Sequence, residues 1–421
     1  MQITELAHRI RVLQIVGGMG RGGVETWLMH VLRRIDRERF QMDFLVHTAE
    51  PCAYDDEVRA LGGRILPCLH PSRPWRYATN FGRIVAAYGP YDIVHSHVHH
   101  YSGYTLRLAQ RAGTPIRIAH SHNDASPQDI SPSLLRSIYL ITSRRWIRRF
   151  ATIGLAASGK AAQALFGSGW QRSSLCRLLY YGIDLAPFRT QPDSSARAVL
   201  RLSPDAFVIG HVGRFDEQKN HRFLLEVFRS VANADPSARF LLIGDGPLRP
   251  AIEQRVAELG LAERVVFAGL RGDVPRILLG AVNVFVMPSL HEGLPLAGLE
   301  AQAAGLPCVF ADSITTELDV VPQLVTRLRL SQSGSTWARA VLAKRDQTPP
   351  ITQHEALAVM EASPFDIRRS AAELAGLYQT AAASSATCSR DSFRDTRDIS
   401  IQDVIGKPLH SDVPKCYDRT A

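Results

Sequence analysis

Short apolar runs alternate with helix-length amphipathic stretches along almost the whole chain, a pattern that few folds can satisfy. Phe240-Leu241-Leu242-Ile243 and Val284-Phe285-Val286-Met287 have no polar face, so as strands they must be covered on both sides. Candidate strands form two series. The first is Arg11–Val16, Met42–His47, Asp92–His95, Arg117–His120 and Thr152–Ala157. The second is Val208–Val212, Arg239–Ile243, Val265–Phe267, Val284–Met287 and Pro307–Phe310. Strands separated by helices imply parallel sheets with right-handed crossovers, an α/β fold. The pattern lapses between Phe188 and Pro204, in Thr-Gln-Pro-Asp-Ser-Ser. Two doubly wound, Rossmann-like domains are therefore expected, over 1–190 and 191–365 of the 421 residues. Residues 366–383 read as a closing helix, and 384–421, polar and without period, as a disordered tail.

Composition narrows the function classes. Apolar residues make up 45% and charged ones 21%, as in soluble globular proteins. No run approaches the ~20 apolar residues that a spanning helix needs. Ile10–Val16 is short, interrupted by Arg11 and Gln14, and leads into glycines, so it does not read as a secretory signal. The six cysteines lie far apart without a C-x-x-C pair, which gives neither a zinc site nor a disulfide framework and makes a reducing cytoplasm the expectation. The net charge of +9 is uneven: through Arg189 there are 24 basic and 13 acidic residues, afterwards 25 and 27. A basic first half suits an anionic partner. No nucleic-acid module with stacking aromatics is visible, so a membrane surface or lipid phosphate is expected and nucleic acid is not. Leu134 to Phe150, rich in arginine and large apolar residues, reads either as a core helix with solvated arginines or as a helix lying on an anionic membrane, peripheral at its cytoplasmic face.

In an open parallel sheet, ligands bind beyond the carboxyl ends of the strands, so the residues after each strand carry the chemistry. After the first strand stands Gly17-Gly18-Met19-Gly20-Arg21-Gly22-Gly23-Val24-Glu25, whose glycines let backbone amides approach a phosphate. Gly18, Gly20 and Gly23 also satisfy the dinucleotide pattern G-x-G-x-x-G. An acid at the end of the second strand, which that reading needs, is not placed there; His47-Thr48 follow instead. His211 to Asn220 follows a strand and precedes an amphipathic helix. Arg214, Lys219 and the helix N-terminus then converge on one point, which suits a diphosphate leaving group as its charge builds. In Pro288 to Glu300, Glu292 falls in a glycine- and proline-containing loop and Glu300 inside the following helix. One carboxylate can reach a sugar hydroxyl while the other binds a ribose diol. His95, His97, His99, His100, His120 and His122 cluster at strand ends, without a carboxylate or cysteine at metal-ligand spacing, and no metal is assigned to them.

Together these segments resemble the retaining glycosyltransferases of family 4, of the GT-B fold, and most closely the bacterial exopolysaccharide and capsule branch. The resemblance runs to about Ala383. It rests on Gly22-Gly23-Val24-Glu25, Asp92-Ile93-Val94-His95-Ser96-His97, His120-Ser121-His122-Asn123, Gly182-Ile183-Asp184, Gly213-Arg214 through Lys219-Asn220, Leu242-Ile243-Gly244-Asp245-Gly246-Pro247 and the Glu292–Glu300 segment. It implies two domains facing across a cleft, the first taking the acceptor and the second a UDP- or GDP-sugar. It implies that Arg214 and Lys219 hold the donor diphosphate, Glu300 binds the ribose, Glu292 contacts the transferred sugar, and Gly293 and Leu294 belong to the donor-binding set. Gly22 and Gly23 approach the phosphate from the opposite domain, and His97 matches the family's active-site histidine. The implied acceptor is a glycan or a polyprenyl-diphosphate-linked sugar, and neither cofactor nor metal is implied. The sequence lacks Asp-x-Asp, the metal–diphosphate motif of the other large glycosyltransferase fold. Tyr181 stands where the family usually carries Asn before Gly182. Two other readings remain: a catalytically silent nucleotide-sugar-binding subunit, and a dinucleotide-dependent oxidoreductase.

Overall fold

The computed structural model describes residues 9–123, 134–193 and 195–391. Seven strands form the first sheet: β1 Ile10–Val16, β2 Phe40–Val46, β3 Ile65–Pro67, β4 Ile93–Ser96, β5 Ile116–Ser121, β6 Ile153–Ala156 and β7 Cys176–Leu178. Six form the second: β8 Phe207–Val212, β9 Ala238–Ile243, β10 Val265–Gly269, β11 Val284–Met287, β12 Cys308–Ala311 and β13 Val325–Leu328. The first sheet runs β3-β2-β1-β4-β5-β6-β7 and the second β10-β9-β8-β11-β12-β13, so the second repeats the first's winding. Every pairing is parallel. β1 matches β2 from Ile10↔Phe40 to Val16↔Val46, and β8 matches β9 from Phe207↔Ala238 to Val212↔Ile243. β3, β7 and β13 are strands the sequence pattern did not mark. All three lie at sheet edges, and β7 and β13 are only half-buried, so neither needs a continuous apolar run.

Helices cover the sheets with apolar stripes. Gly23–Arg34 buries Trp27, Leu28, Val31 and Leu32, and His221–Ala234 buries Leu224, Leu225, Phe228 and Val231, both at helical spacing. Leu134–Phe150 is a helix with two faces. Leu140, Ser143 and Ile147 pack inward, close enough to Ser102–Arg111 that a side chain at Gly103 would meet the Ser143 carbonyl. Its outer stripe exposes Leu134, Leu135, Ile138 and Ile141, then Arg145, Arg148 and Arg149. Among the described residues, no helix is long and apolar enough to cross a membrane.

The chain crosses between the sheets twice, and the two crossings lie side by side. Ile183 bridges Asp366, its N–H donating to the Phe365 carbonyl at 2.8 Å while Ile367 N–H donates to the Ile183 carbonyl at 3.1 Å. A Cβ on Gly182 would sit 2.3 Å from Ile367 Cα, so only glycine fits there. Beside it, Tyr181, which stands where the family usually carries Asn, stacks on Trp27 with ring centroids 4.7 Å apart, and its hydroxyl has no hydrogen-bond partner among the described residues. The final helix, Ile367–Asp391, begins one residue after the expected 366 and continues past Ala383; the rest of the expected tail lies outside the described residues. This helix returns to the first sheet, where Ser370 accepts from Trp27 Nε1–H at 3.1 Å and Tyr378 reaches β1 and β4.

Candidate active site

Strand order reverses between β1 and β4 and again between β8 and β11, and such switch points are where doubly wound sheets open a crevice. The loops leaving those four strands hold nearly every site residue expected from sequence. On the second sheet, the loop after β8 turns at Asn220, whose φ of 55 is left-handed, into the helix His221–Ala234. The loop after β11 is tied to it: Leu290 N–H donates to the Gln218 carbonyl at 2.8 Å and Asn220 Nδ2 to the Pro288 carbonyl at 3.2 Å. That zipper brings Lys219 Nζ to 2.5 Å from Glu292 Oε1 and Gln218 Nε2 to 2.9 Å from Oε2. With side-chain exposures of 15% and 6%, the ion pair is nearly dry, and both carboxylate oxygens are satisfied. Gln218 was not anticipated; its amide is what completes the shell around Glu292.

Arg214, on the same loop, is exposed, and its guanidinium makes no hydrogen bond or ion pair among the described residues. Its charge acts across the cleft on Glu25, whose pKa burial nonetheless raises. Glu25 belongs to the helix Gly23–Arg34, which opens after the β1 loop, and its carboxylate folds back over Gly22. A Cβ at Gly23 would meet nothing within 4 Å, so space is open on that side. Leu294 is buried. Glu300 lies one turn into the helix Leu296–Ala303, and its carboxylate accepts no hydrogen bond among the described residues. Burial pushes its pKa up to about 7. The fold therefore gathers Arg214, Lys219 and Glu292 on two adjoining loops and sets Glu300 on the helix that follows.

The first sheet's strand ends are of another kind. His97, after β4, is not open to a substrate through either ring nitrogen: Nε2 lies 2.8 Å from Gln14 Oε1 and Nδ1 2.8 Å from His122 Nε2. His95 is bonded likewise, Nδ1 to Tyr378 Oη at 2.7 Å and Nε2 to His120 Nδ1 at 3.1 Å. Burial pushes all four histidines toward the neutral form, His97 to about 3 and the others well below the usual imidazole range, with neighbouring histidines adding to the effect on those three. Nitrogens of His95, His97 and His120 lie within 4.8 Å of one another, so a metal ion is geometrically within their reach. Hydrogen bonds occupy both nitrogens of His95 and His97, and a metal would have to displace them. Gln14 and Tyr378 escaped the sequence reading. A polar Gln14 inside an apolar strand was the available signal; Tyr378, on the last helix, gave none.

The two sets of loops face each other closely. A Cβ on Gly293 would fall 1.7 Å from the His122 carbonyl oxygen, so the donor-side loop can rest on the β5 end only as glycine. Elsewhere across the interface, Lys160 Nζ donates to the Ser313 carbonyl at 2.6 Å, and Gly159 N–H, at the start of the helix Gly159–Phe166, donates to Glu317 at 3.1 Å.

Known proteins resemble the chain along most of its length. Residues 22–180 match the family model described as a glycosyl transferase 4-like domain, and residues 206–342 that of glycosyl transferases group 1. A putative glycosyltransferase of Bacillus subtilis, EpsF, is 38% identical over 79% of the chain and 86% of the relative. The UDP-Gal:alpha-D-GlcNAc-diphosphoundecaprenol alpha-1,3-galactosyltransferase of Escherichia coli is 27% identical over 73% and 79%. Among solved structures, Anabaena HepE in complex with UDP and glucose superposes with a TM-score of 0.75 at 20% identity, over 88% of the chain and 100% of HepE. This likeness is one of fold, the GT-B arrangement of two facing parallel sheets.

Proposed function

The chain belongs to the group 1 glycosyltransferases, and on that premise we propose that it moves a hexose from a nucleoside diphosphate sugar to a glycan or lipid-linked acceptor, with retention and without a metal. Membership in a transferase family removes the oxidoreductase reading of Gly18, Gly20 and Gly23. In this proposal residues 1–190 take the acceptor, 191–365 the donor, and 366–383 close one onto the other.

The carrying observation is Arg214, exposed and without a hydrogen bond or ion pair among the described residues, on the same loop as the paired Lys219, which leads into a helix at the second sheet's switch point. Arg214, Lys219 and the helix amides neutralise the diphosphate as the anomeric C–O bond breaks. The acceptor oxygen bonds to the anomeric carbon from the same face, and its proton passes to the departing phosphate oxygen. Glu292, fixed by Gln218, orients a sugar hydroxyl together with the backbone at Gly293 and Leu294; Glu300 accepts from the ribose diol; Gly22 and Gly23 close on the phosphate. With three positive elements at the diphosphate, no Mn²⁺ or Mg²⁺ is required. The UDP named for HepE favours a uridine donor over a guanosine one. The E. coli relative's named acceptor, together with the exposed Leu134–Ile141 stripe and the arginines after it, favours a polyprenyl-diphosphate-linked acceptor at the cytoplasmic face of a membrane, in exopolysaccharide or capsule synthesis.

Turnover of a panel of radiolabelled UDP- and GDP-sugars on polyprenyl-diphosphate acceptors, with the product's anomeric configuration read by NMR, tests the proposal. Expected is an axial product from an axial donor. An inverted product, or no turnover with any donor while nucleotide still binds, would point instead to inversion or to a silent subunit.

A further inference from the structure

The proton positions in the buried histidine cluster follow from one amide. Gln14 Nε2–H donates to Tyr378 Oη at 3.0 Å, and the Tyr378 hydroxyl proton, whose one available acceptor among the described residues is His95 Nδ1, donates there at 2.7 Å. His95 then carries its proton on Nε2 and donates to His120 Nδ1 at 3.1 Å, leaving His120 Nε2–H at the end of that arm without a partner among the described residues. On the other arm, Gln14 Oε1 accepts from His97 Nε2–H, and His97 Nδ1 accepts from His122 Nε2–H, both at 2.8 Å. His122 Nδ1 ends this arm as a bare lone pair, buried and without a partner among the described residues. Turning the Gln14 amide over would reverse every bond in both arms and make His122 Nδ1 a donor. All four rings are neutral in either arrangement, so charge does not choose between them. The amide does.

We infer that Gln14 and Tyr378 are positioning residues that fix the polarity of this four-histidine chain, so that the buried His122 Nδ1 is left as a hydrogen-bond acceptor rather than a donor toward any hydroxyl admitted beside it. His122 is the member of the chain that touches the opposite half, through the Gly293 loop on its carbonyl. His97 becomes the relay between Gln14 and His122. Tyr378 comes from the last helix, so the segment that follows the second crossing sets a proton position in the first sheet. The inference rests on the reading that the cleft holds hydroxyl-bearing substrates; the polarity itself does not, because it is measured without them.

The test is ¹⁵N NMR of ring-labelled histidine in the ligand-free protein, from about pH 5 to about 8, with each ring assigned by its own substitution. Expected for the parent are four Nε2–H tautomers and no protonation across that range. In Gln14→Leu and in the milder Tyr378→Phe, His122 becomes a mixture of tautomers, and kcat falls about 3- to 10-fold, the loss of one neutral hydrogen bond, at unchanged donor KM. A folding defect alone would lower the melting midpoint without altering the tautomer of the folded protein. An Nδ1–H tautomer at His122 in the parent would overturn the inference, as would a single unchanged tautomer in Tyr378→Phe. If nucleotide binding failed while the tautomers behaved as stated, the transferase reading would fall and the polarity lock would stand.

Discussion

The two sheets share a strand order but not an electrostatic character. At the first switch point, four histidines are held neutral and dry by burial and are satisfied largely by one another, Gln14 and Tyr378. At the second, Lys219 and Glu292 are paired and Arg214 is left open. One winding thus supports a neutral hydrogen-bonding floor and a charged wall. On the proposed function the difference would serve two tasks: orienting uncharged hydroxyls, and taking up phosphate charge. It also shows why strand order cannot assign function; the residues just beyond the strands do.

The comparison breaks most easily at Lys219. Lys219→Ala strands Glu292 in a nearly dry site, so it should cost about 3–5 kcal/mol in unfolding free energy as well as abolish turnover. Denaturant melts and initial rates check this, and a loss of activity at full stability would mean the pair is not buried as described. Arg214 is exposed and makes no hydrogen bond or ion pair among the described residues, so Arg214→Ala should leave the melt unchanged yet weaken transition-state stabilisation by about 1.5–3 kcal/mol, tenfold or more in kcat/KM. Equal kinetics for parent and variant would remove Arg214 from the charged wall.

Glu300 sharpens the contrast because it is the acid on the charged side that burial holds near neutrality. Its pKa of about 7 lies above the ordinary carboxyl range, so it is protonated below about pH 7 in the ligand-free protein and charged above. An ionised carboxylate is the better diol acceptor, so donor KM should fall severalfold as pH rises through 7. The neutral form is the one folding favours here, so this group's contribution to stability declines over the same rise. Glu300→Gln should flatten the KM profile; a profile unchanged by that substitution would sever Glu300 from the donor.

The smallest effect concerns the outer stripe of Leu134–Phe150. Changing the exposed Arg145, Arg148 and Arg149 to glutamine, and leaving Arg144, which donates inward to the Ala164 carbonyl, should reduce co-sedimentation with phosphatidylglycerol vesicles at low salt, each arginine near the headgroups being worth at most about 1 kcal/mol and screened by salt. If the parent stays in the supernatant, a soluble acceptor takes the place of the lipid-linked one.

Much of this was legible in the chain because the central strands are buried on both faces and spell themselves out as apolar runs. Phe240–Ile243 and Val284–Met287 fall inside β9 and β11. Edge strands such as Cys176–Leu178 need no such run and left no trace. Arg214, Lys219 and Glu292 were readable because their loops follow marked strands directly. Tyr378 was not, since its partners Gln14 and His95 lie far off in sequence and meet it only after the second crossing. His97 illustrates a different limit: sequence put it at the strand end, but only geometry showed both its nitrogens taken.

The central claim is that Arg214, Lys219 and the helix amides of the second sheet neutralise a nucleoside diphosphate without a metal ion. Calorimetric titration of UDP and of GDP into the protein in excess EDTA measures it directly. The account predicts that one of the two binds, that added Mn²⁺ leaves the affinity unchanged, and that Arg214→Ala weakens it tenfold or more. Binding that appears only with Mn²⁺, or that is indifferent to Arg214, would contradict it.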